Sequence, residues 1–281
     1  MTWRLLVTPP LDGAANMATD EAVLRARIAG EGPPTIRFFG WTPPTVSLGY
    51  GQVLDGRVDT AACARLGIGL VRRPTGGSAL LHESPTGEVT YSVVARAGDF
   101  AGADDVLETY RVIGVALVAG LARLGVAAEL VPVTRAARGA AAPTFCFARS
   151  GSFEVAVDGQ KLVGSAQRRQ AGAFLQHGAI LLDADPERLR AVFPMLREPL
   201  EGVTTLAAVL GRRVTFDAVV PALAAGLAEA LGRSLAPAGL SPAEAEVARW
   251  LAAEKYGSDA WTFHGQAPAS RAAPAPEGSR S

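Results

Sequence analysis

The sequence predicts an α+β fold, a largely antiparallel or mixed sheet with helices packed on it. Strand and helix patterns mix along the chain without the strict alternation of a parallel α/β protein. Residues 153–182, FEVAVDGQKLVGSAQRRQAGAFLQHGAILL, read as three consecutive antiparallel strands. Within them Asp158-Gly159 is a two-residue hairpin signal, because both central positions of such a turn need positive φ. Val106, Tyr110, Ile113, Leu117, Leu121 and Leu124 recur at three-to-four spacing between Asp104 and Leu124, and Gly125 follows, which is a helix with its stop.

The remaining elements follow in order. Trp3 to Thr8 is a first strand. Asp12 caps a helix over Ala14 to Ile28, with Asp20-Glu21 near its positive end. Gly30 to Pro34 ends that helix, and Thr35 to Phe39 is a strand. Pro43-Pro44 leads in extended form into Thr45 to Leu48, and Gly49-Tyr50-Gly51 breaks the chain again. Asp59 starts a short helix that stops at Gly67. Cys63, among Ala61, Ala62 and Leu66, reads as a small core residue. Ile68 to Arg72, Ala79 to His82 and Glu88 to Val94 are strands. Glu129 to Pro132 is another, and Thr134 to Thr144, with many small residues and no period, is a loop of the kind that covers sites. After the hairpins, helices are expected at Pro186 to Val192, Val203 to Leu210, Thr215 to Leu231 and from Ser241 to Tyr256. Residues 1–265 read as one domain, and Gln266 to Ser281, rich in Pro, Ala, Ser and Gly, as a disordered tail.

Composition excludes several functions. The 281 residues carry 27 basic and 27 acidic side chains, a net charge of zero that argues against a nucleic-acid surface. No apolar run reaches the ~18 residues of a membrane span, and the N-terminal apolar run is too short for a signal peptide. Two cysteines make no disulfide framework. The expectation is a soluble cytoplasmic protein with free thiols. Three histidines and two cysteines are scattered without metal-ligand spacing, so no metal is expected.

Chemistry concentrates in two stretches. Only two of the 27 cations are lysines, Lys161 and Lys255. Surface cations are otherwise arginine, so a lysine that persists is a candidate for work a guanidinium does not do; the plain alternative is a surface lysine beside a turn. By period two, Lys161, Val163, Ser165 and Gln167 share one strand face. The second stretch is Arg72-Arg73-Pro-Thr-Gly76-Gly77-Ser, where a glycine pair lets backbone N–H groups approach a ligand and two arginines precede it. A simple hairpin loop is the plain reading. His82, on the next strand, is either a site residue or a satisfied structural histidine, and His264 reads as solvated.

WRLLVTPPLDGAANMATDEAVL, TVSLGYGQ, RRPTGGSALLHE with EVTYSVV, DGQKLVGSAQRRQAGAFLQHGAILL and EKYGSDAW together resemble the lipoate–protein ligase A and octanoyltransferase family, over residues 3–261. The resemblance implies the catalytic fold shared with biotin protein ligases. It implies that Arg72, Arg73, Gly76, Gly77 and His82 hold the acyl group, that Lys161 contacts the reacting carbonyl beside Gly164 and Ser165, and that His177 belongs to the site. One departure is the span from His82 to Glu88, longer than the family's compact pattern.

The family contains two chemistries. ATP-dependent ligases activate free lipoate; octanoyltransferases take octanoate from a carrier thioester through a cysteine. This chain has Thr144-Phe145-Cys146-Phe147 upstream of Lys161, which resembles the cysteine branch. A thiol is mostly protonated at neutral pH, and a nearby ammonium favours the thiolate and then the oxyanion. A buried small residue between two phenylalanines is the plain reading of Cys146. The implied partners are acyl carrier protein as donor and lipoyl-accepting domains as acceptors, namely the glycine-cleavage carrier protein or the E2 component of 2-oxoacid dehydrogenases. No cofactor is expected on the thioester route; ATP and magnesium belong to the ligase alternative. A catalytically silent acyl-carrier-binding relative is the third possibility. Lys255 reads as structural or acceptor-docking.

Overall fold

Two hairpins set the main sheet. The computed structural model describes residues 2–83, 85–99, 105–132 and 153–267. The expected loop at Thr134 to Thr144, Cys146, and all but the first two residues of the expected tail lie outside the described residues. β8 (Phe153–Val157), β9 (Gln160–Gln170) and β10 (Ala173–Leu181) are antiparallel neighbours, as the sequence predicts. Asp158 (φ 49°) and Gly159 (φ 73°) form the first turn, Ala171 (φ 47°) and Gly172 (φ 75°) the second.

β10 pairs antiparallel with β6 (Glu88–Arg96), and β6 with β2 (Thr35–Phe39). β2 then runs parallel to β1 (Thr2–Val7), and β1 parallel to β11 (Ser234–Pro237). β7 (Glu129–Pro132) closes the far edge on β8. Among the described residues the main sheet thus has eight strands, mixed but mostly antiparallel. A second sheet has β3 (Thr45–Leu48) between β4 (Gly69–Arg72) and β5 (Leu80–His82).

α3 (Val106–Ala122) and α6 (Phe216–Leu231) cover one face of the main sheet, over Ile36, Phe38, Tyr91, Val163 and Ile180. They cross backbone to backbone: a Cβ on Gly226 would sit 2.2 Å from the Gly120 nitrogen. The other face carries α1 (Gly13–Ala29) and the small sheet, through Met17, Trp41, Val46, Leu80 and Ala179. Asp12 caps α1 by accepting from the Ala15 N–H at 2.7 Å, and Gly30 ends it in left-handed conformation. α2 (Thr60–Arg65) buries Cys63, whose thiol is pushed up to about 11, by burial first and then by the Asp59 charge. That is the expected inert packing cysteine.

α4 (Pro186–Val192) stands where predicted, and other elements differ for physical reasons. α5 (Leu206–Leu210) starts later than predicted, because Val203 is drawn into a bridge with Lys161 and Thr205 is the cap. α7 (Pro242–Leu251) opens on a full Ser241/Glu244 capping box but widens into a π-helical turn over Ala252–Tyr256 before α8 (Asp259–His264). β11 carries no alternating pattern and is defined only by pairing with β1. Asp20 and Glu21 do not serve the positive end of α1; both are buried one turn further in, against Arg37 and Lys255. No helix among the described residues is long and apolar enough to cross a membrane.

Candidate active site

β9 does not keep period two throughout. Val155 pairs with Val163, but Ala156 pairs with Lys161, so Leu162 is an extra residue in a β-bulge. Cross-strand partners share a face, hence Lys161 and Val163 lie on opposite faces. This corrects the expected Lys161-Val163-Ser165-Gln167 row. Val163, Ser165 and Gln167 face α3: Ser165 Oγ meets the Tyr91 hydroxyl at 2.7 Å and Gln167 donates to Thr109 Oγ1 at 3.0 Å. Lys161 is turned to the α1 side, with Gly164 and Ala166.

The backbone of Lys161 is held along one edge by both of its polar groups. Its N–H donates to Gly202 O at 2.8 Å and its carbonyl accepts from Thr204 N at 3.0 Å, so the 202–204 segment replaces β10 as the neighbour here. The ammonium is only 8% exposed and meets Glu154 Oε1 at 2.6 Å.

Next along β9 is a narrow cleft between the main sheet, α1 and the small sheet. Met17, Trp41, Leu80, Ala166 and Ala179 give it apolar walls; Arg73, His82, Gly164, Ser165, His177 and Gly178 also line it. Apolar walls with a few fixed polar groups suit an acyl chain with a polar end. Gly178 is required by close approach. A Cβ there would lie 2.4 Å from Gly164 O, 2.7 Å from the Tyr91 ring and 2.9 Å from Ser165 Oγ. Gly178→Ala therefore forces β9 and β10 apart. The expected loss is about 1–3 kcal/mol of stability, read by thermal melting; an unchanged melting temperature would refute the packing argument.

The two arginines do different things. The Arg72 guanidinium is absent from the cleft lining. It donates to the carbonyls of Gly49 (2.9 Å), Tyr50 (3.1 Å), Gln52 (2.7 Å), Trp261 (3.1 Å) and Thr262 (3.1 Å), while Trp261 Nε1 returns a bond to Arg72 O at 2.8 Å. Arg72 thus clamps α8 to the Gly49-Tyr50-Gly51 loop rather than reaching into the cleft. Arg73 does line the cleft. It donates to Ser47 O and Oγ at 3.0 and 3.1 Å and to Gly76 O and Ser78 O at 2.6 and 2.8 Å, which shapes the glycine turn. Gly76 and Gly77 are exposed, and Gly77 is left-handed at φ 94°. Gly49 abuts the turn so closely that a Cβ would fall 1.8 Å from Gly77 O.

Both cleft histidines are wired. His82 Nδ1 faces Glu88 Oε1 at 2.7 Å and Nε2 faces Ser47 Oγ at 2.8 Å, and Trp41 stacks on the ring at 4.0 Å. Trp41 Nε1 donates to Thr90 Oγ1, which donates on to Glu88. His177 Nδ1 faces Asp20 Oδ2 at 3.4 Å, and its Nε2 bonds the Thr75 hydroxyl. Burial alone would raise the Asp20 carboxyl, but Arg37 at 2.9 Å and His177 outweigh it and hold Asp20 below the usual carboxylate range. Burial pushes the His177 imidazole down, against the pull of Asp20. With Asp20 ionised and His177 neutral, Nδ1 carries the proton and Nε2 accepts from Thr75.

The structure therefore brings Arg73, His82, Gly164 and His177 to one cleft, which Ser165 borders although its hydroxyl is turned to the α3 side, with Gly76 and Gly77 at its arginine-held rim and Lys161 on the same sheet face. Arg72 stands apart as a clamp. Met17, Trp41, Ser47 and Thr90 complete the lining and were not singled out from sequence; nothing local marks them. Lys255 is buried against Glu21 at 2.6 Å and over the Trp261 ring at 4.0 Å. Among the described residues no group of three or more His, Cys, Asp and Glu side chains could hold a metal.

Comparison with known proteins places this geometry. A family profile described as the lipoyl protein ligase A/B catalytic domain matches residues 12–228. The chain belongs to that family. Within it, Octanoyltransferase LipM of Kyrpidia tusciae is 47% identical over 274 residues, covering 93% of this chain and 98% of that one. Octanoyltransferase LipM of Symbiobacterium thermophilum is 45% identical over 277 residues, again covering 93% and 98%. A solved lipoate-protein ligase A with bound ATP superposes with a TM-score of 0.79 at 28% identity, covering 94% of this chain and 99% of that one. A bipartite lipoate protein ligase from Thermoplasma acidophilum gives 0.76 at 28%, covering 94% and 96%. The mixed sheet and its helices are the lipoyl ligase catalytic fold.

Proposed function

We propose that the chain is an octanoyltransferase of lipoate biosynthesis that works through a cysteine thioester. Cys146 attacks the octanoyl thioester of acyl carrier protein, the carrier thiol leaves, and the acyl group passes to a lysine amine on a lipoyl-accepting domain. The acceptors are the glycine-cleavage carrier protein or a 2-oxoacid dehydrogenase E2 domain. Lys161 supports the Cys146 thiolate and then the oxyanion of each tetrahedral intermediate. Arg73, Gly76 and Gly77 shape the turn at the acyl carboxyl end, and Gly164, Ser165, His82 and His177 line the chain's cleft.

The observation that carries this reading is the bulge at Leu162, which turns a nearly buried lysine side chain to the sheet face that holds the apolar cleft. Support comes also from the octanoyltransferase relatives at 45–47% identity. Exchange of one thioester for another is close to isoenergetic, so the first step draws on no nucleotide. Incubation with octanoyl carrier protein and an apo acceptor domain, with and without Mg-ATP, tests it. Transfer without ATP is the expected result. Strict dependence on ATP would instead assign the ligase reaction, and no transfer under either condition a silent acyl-carrier binder.

A further inference from the structure

The second half of this route has a proton to dispose of that the first half lacks. A lysine side chain is an ammonium at neutral pH, and only the free amine has a lone pair to attack an acyl thioester. Two protons leave the nitrogen as the C–N bond forms and the C–S bond breaks. One can go to the departing thiolate. The other, from the ammonium itself, needs a base.

Thr75, His177 and Asp20 form a hydrogen-bonded row contributed by three separate parts of the fold: the glycine turn, β10 and α1. All three are buried, and Thr75 immediately precedes the exposed Gly76-Gly77 pair. His177 also lines the cleft itself. Asp20 is held from behind by Arg37 Nη1 and Ser92 Oγ, each at 2.9 Å, so its other oxygen stays directed to His177 Nδ1. A hydroxyl, an imidazole and a fixed carboxylate in that order make a path for one proton.

We propose that this row takes the proton of the acceptor lysine: the Thr75 hydroxyl receives it while passing its own to His177 Nε2, and Asp20 stabilises the imidazolium. The proposal rests on the acyl-transfer reading above. The charged and titratable groups around His177 are Asp20 from α1, Arg37 from β2 behind it, Arg73 just after β4 and, as a titratable ring, His82 on β5. Burial, Arg73 and His82 keep the imidazole neutral at rest, and Asp20 opposes them, so the ring waits in its accepting form.

The test separates the two half-reactions in the full-length enzyme. Parent, Thr75→Val, Thr75→Ser and His177→Gln proteins are loaded from octanoyl carrier protein and the acyl adduct is followed by intact mass. The adduct is then chased with an apo lipoyl domain between pH 6.5 and 9, or with hydroxylamine, an amine already neutral at pH 7. In Thr75→Val and His177→Gln, transfer to the domain should fall about 100-fold at pH 7, the usual scale for a lost general base, and far more than adduct formation does. It should recover roughly tenfold per pH unit as water deprotonates more of the lysine. Thr75→Ser should restore transfer, and hydroxylamine should discharge all adducts alike. If loading and transfer fall together with no pH recovery, or if transfer is unchanged, the row is only structural and the proposal fails. A parent enzyme that never forms an adduct would overturn the thioester route, and the relay with it.

Discussion

Arginine at position 161 lowers single-turnover octanoyl transfer by about 100- to 1,000-fold, or roughly 3 to 4 kcal/mol, the usual loss when one preorganised electrostatic donor is removed. The positive charge survives this substitution, so the loss measures position. The Lys161 backbone is pinned between β8 and the Gly202–Thr204 segment, and its side chain is 8% exposed with Glu154 at 2.6 Å. A planar guanidinium is larger than an ammonium and donates in a fixed fork. It cannot hold the Glu154 contact and also reach a single oxygen in so confined a space. Lys161→Ala should lose at least as much. A near-parental rate for Lys161→Arg, in a protein whose circular dichroism is unchanged, would remove Lys161 from the mechanism.

The second large effect is on stability. Lys255→Met should cost about 3 kcal/mol, the low end of the range for breaking a buried ion pair. Lys255 and Glu21 are both under a tenth exposed. Glu21 Oε2 takes Lys255 and the Tyr256 hydroxyl, while Oε1 keeps Arg25 at 2.6 Å, which is why the loss stays at the low end. Burial alone would raise the Glu21 carboxyl, but Lys255 and Tyr256 outweigh it and leave it lowered. A lowered carboxyl binds fewer protons folded than unfolded, so its contribution is complete above about 4.5 and is lost as pH falls from there. Asp20 and Glu244 have the same sign. Denaturant melts of the parent should therefore weaken steadily below that pH, and Glu21→Gln should flatten part of that slope. Equal acid slopes in both proteins would deny the pair its role. The effect reaches the site as well, since Lys255 lies over Trp261 and Trp261 is bonded to Arg72.

Local chemistry made much of this molecule legible in the sequence. Asp158-Gly159 and Asp12 act through their own backbones and neighbours, so their turn and cap could be read directly. The glycine turn was legible for the same reason, although the division of labour between Arg72 and Arg73 was not: both are buried cations, and only the carbonyls that surround each one tell clamp from lining. The face of Lys161 was misread because a bulge carries no residue signature. It arises where the distant 202–204 segment displaces β10 as the strand neighbour. Asp20 and Glu21 were read as helix-end charges since their partners, Arg37, His177 and Lys255, are remote in sequence. Trp41 and Thr90 join the site only through tertiary packing. The rarity of lysine did carry information: both lysines are buried against carboxylates rather than standing on the surface.

The account depends most on Cys146 carrying the acyl group. Mixing the enzyme with octanoyl carrier protein, without nucleotide, and recording intact mass reads this directly. The account predicts one added octanoyl group that hydroxylamine removes, present in the parent and in Cys63→Ala and absent in Cys146→Ala. A Cys146→Ala protein that transfers octanoate at the parental rate would contradict it.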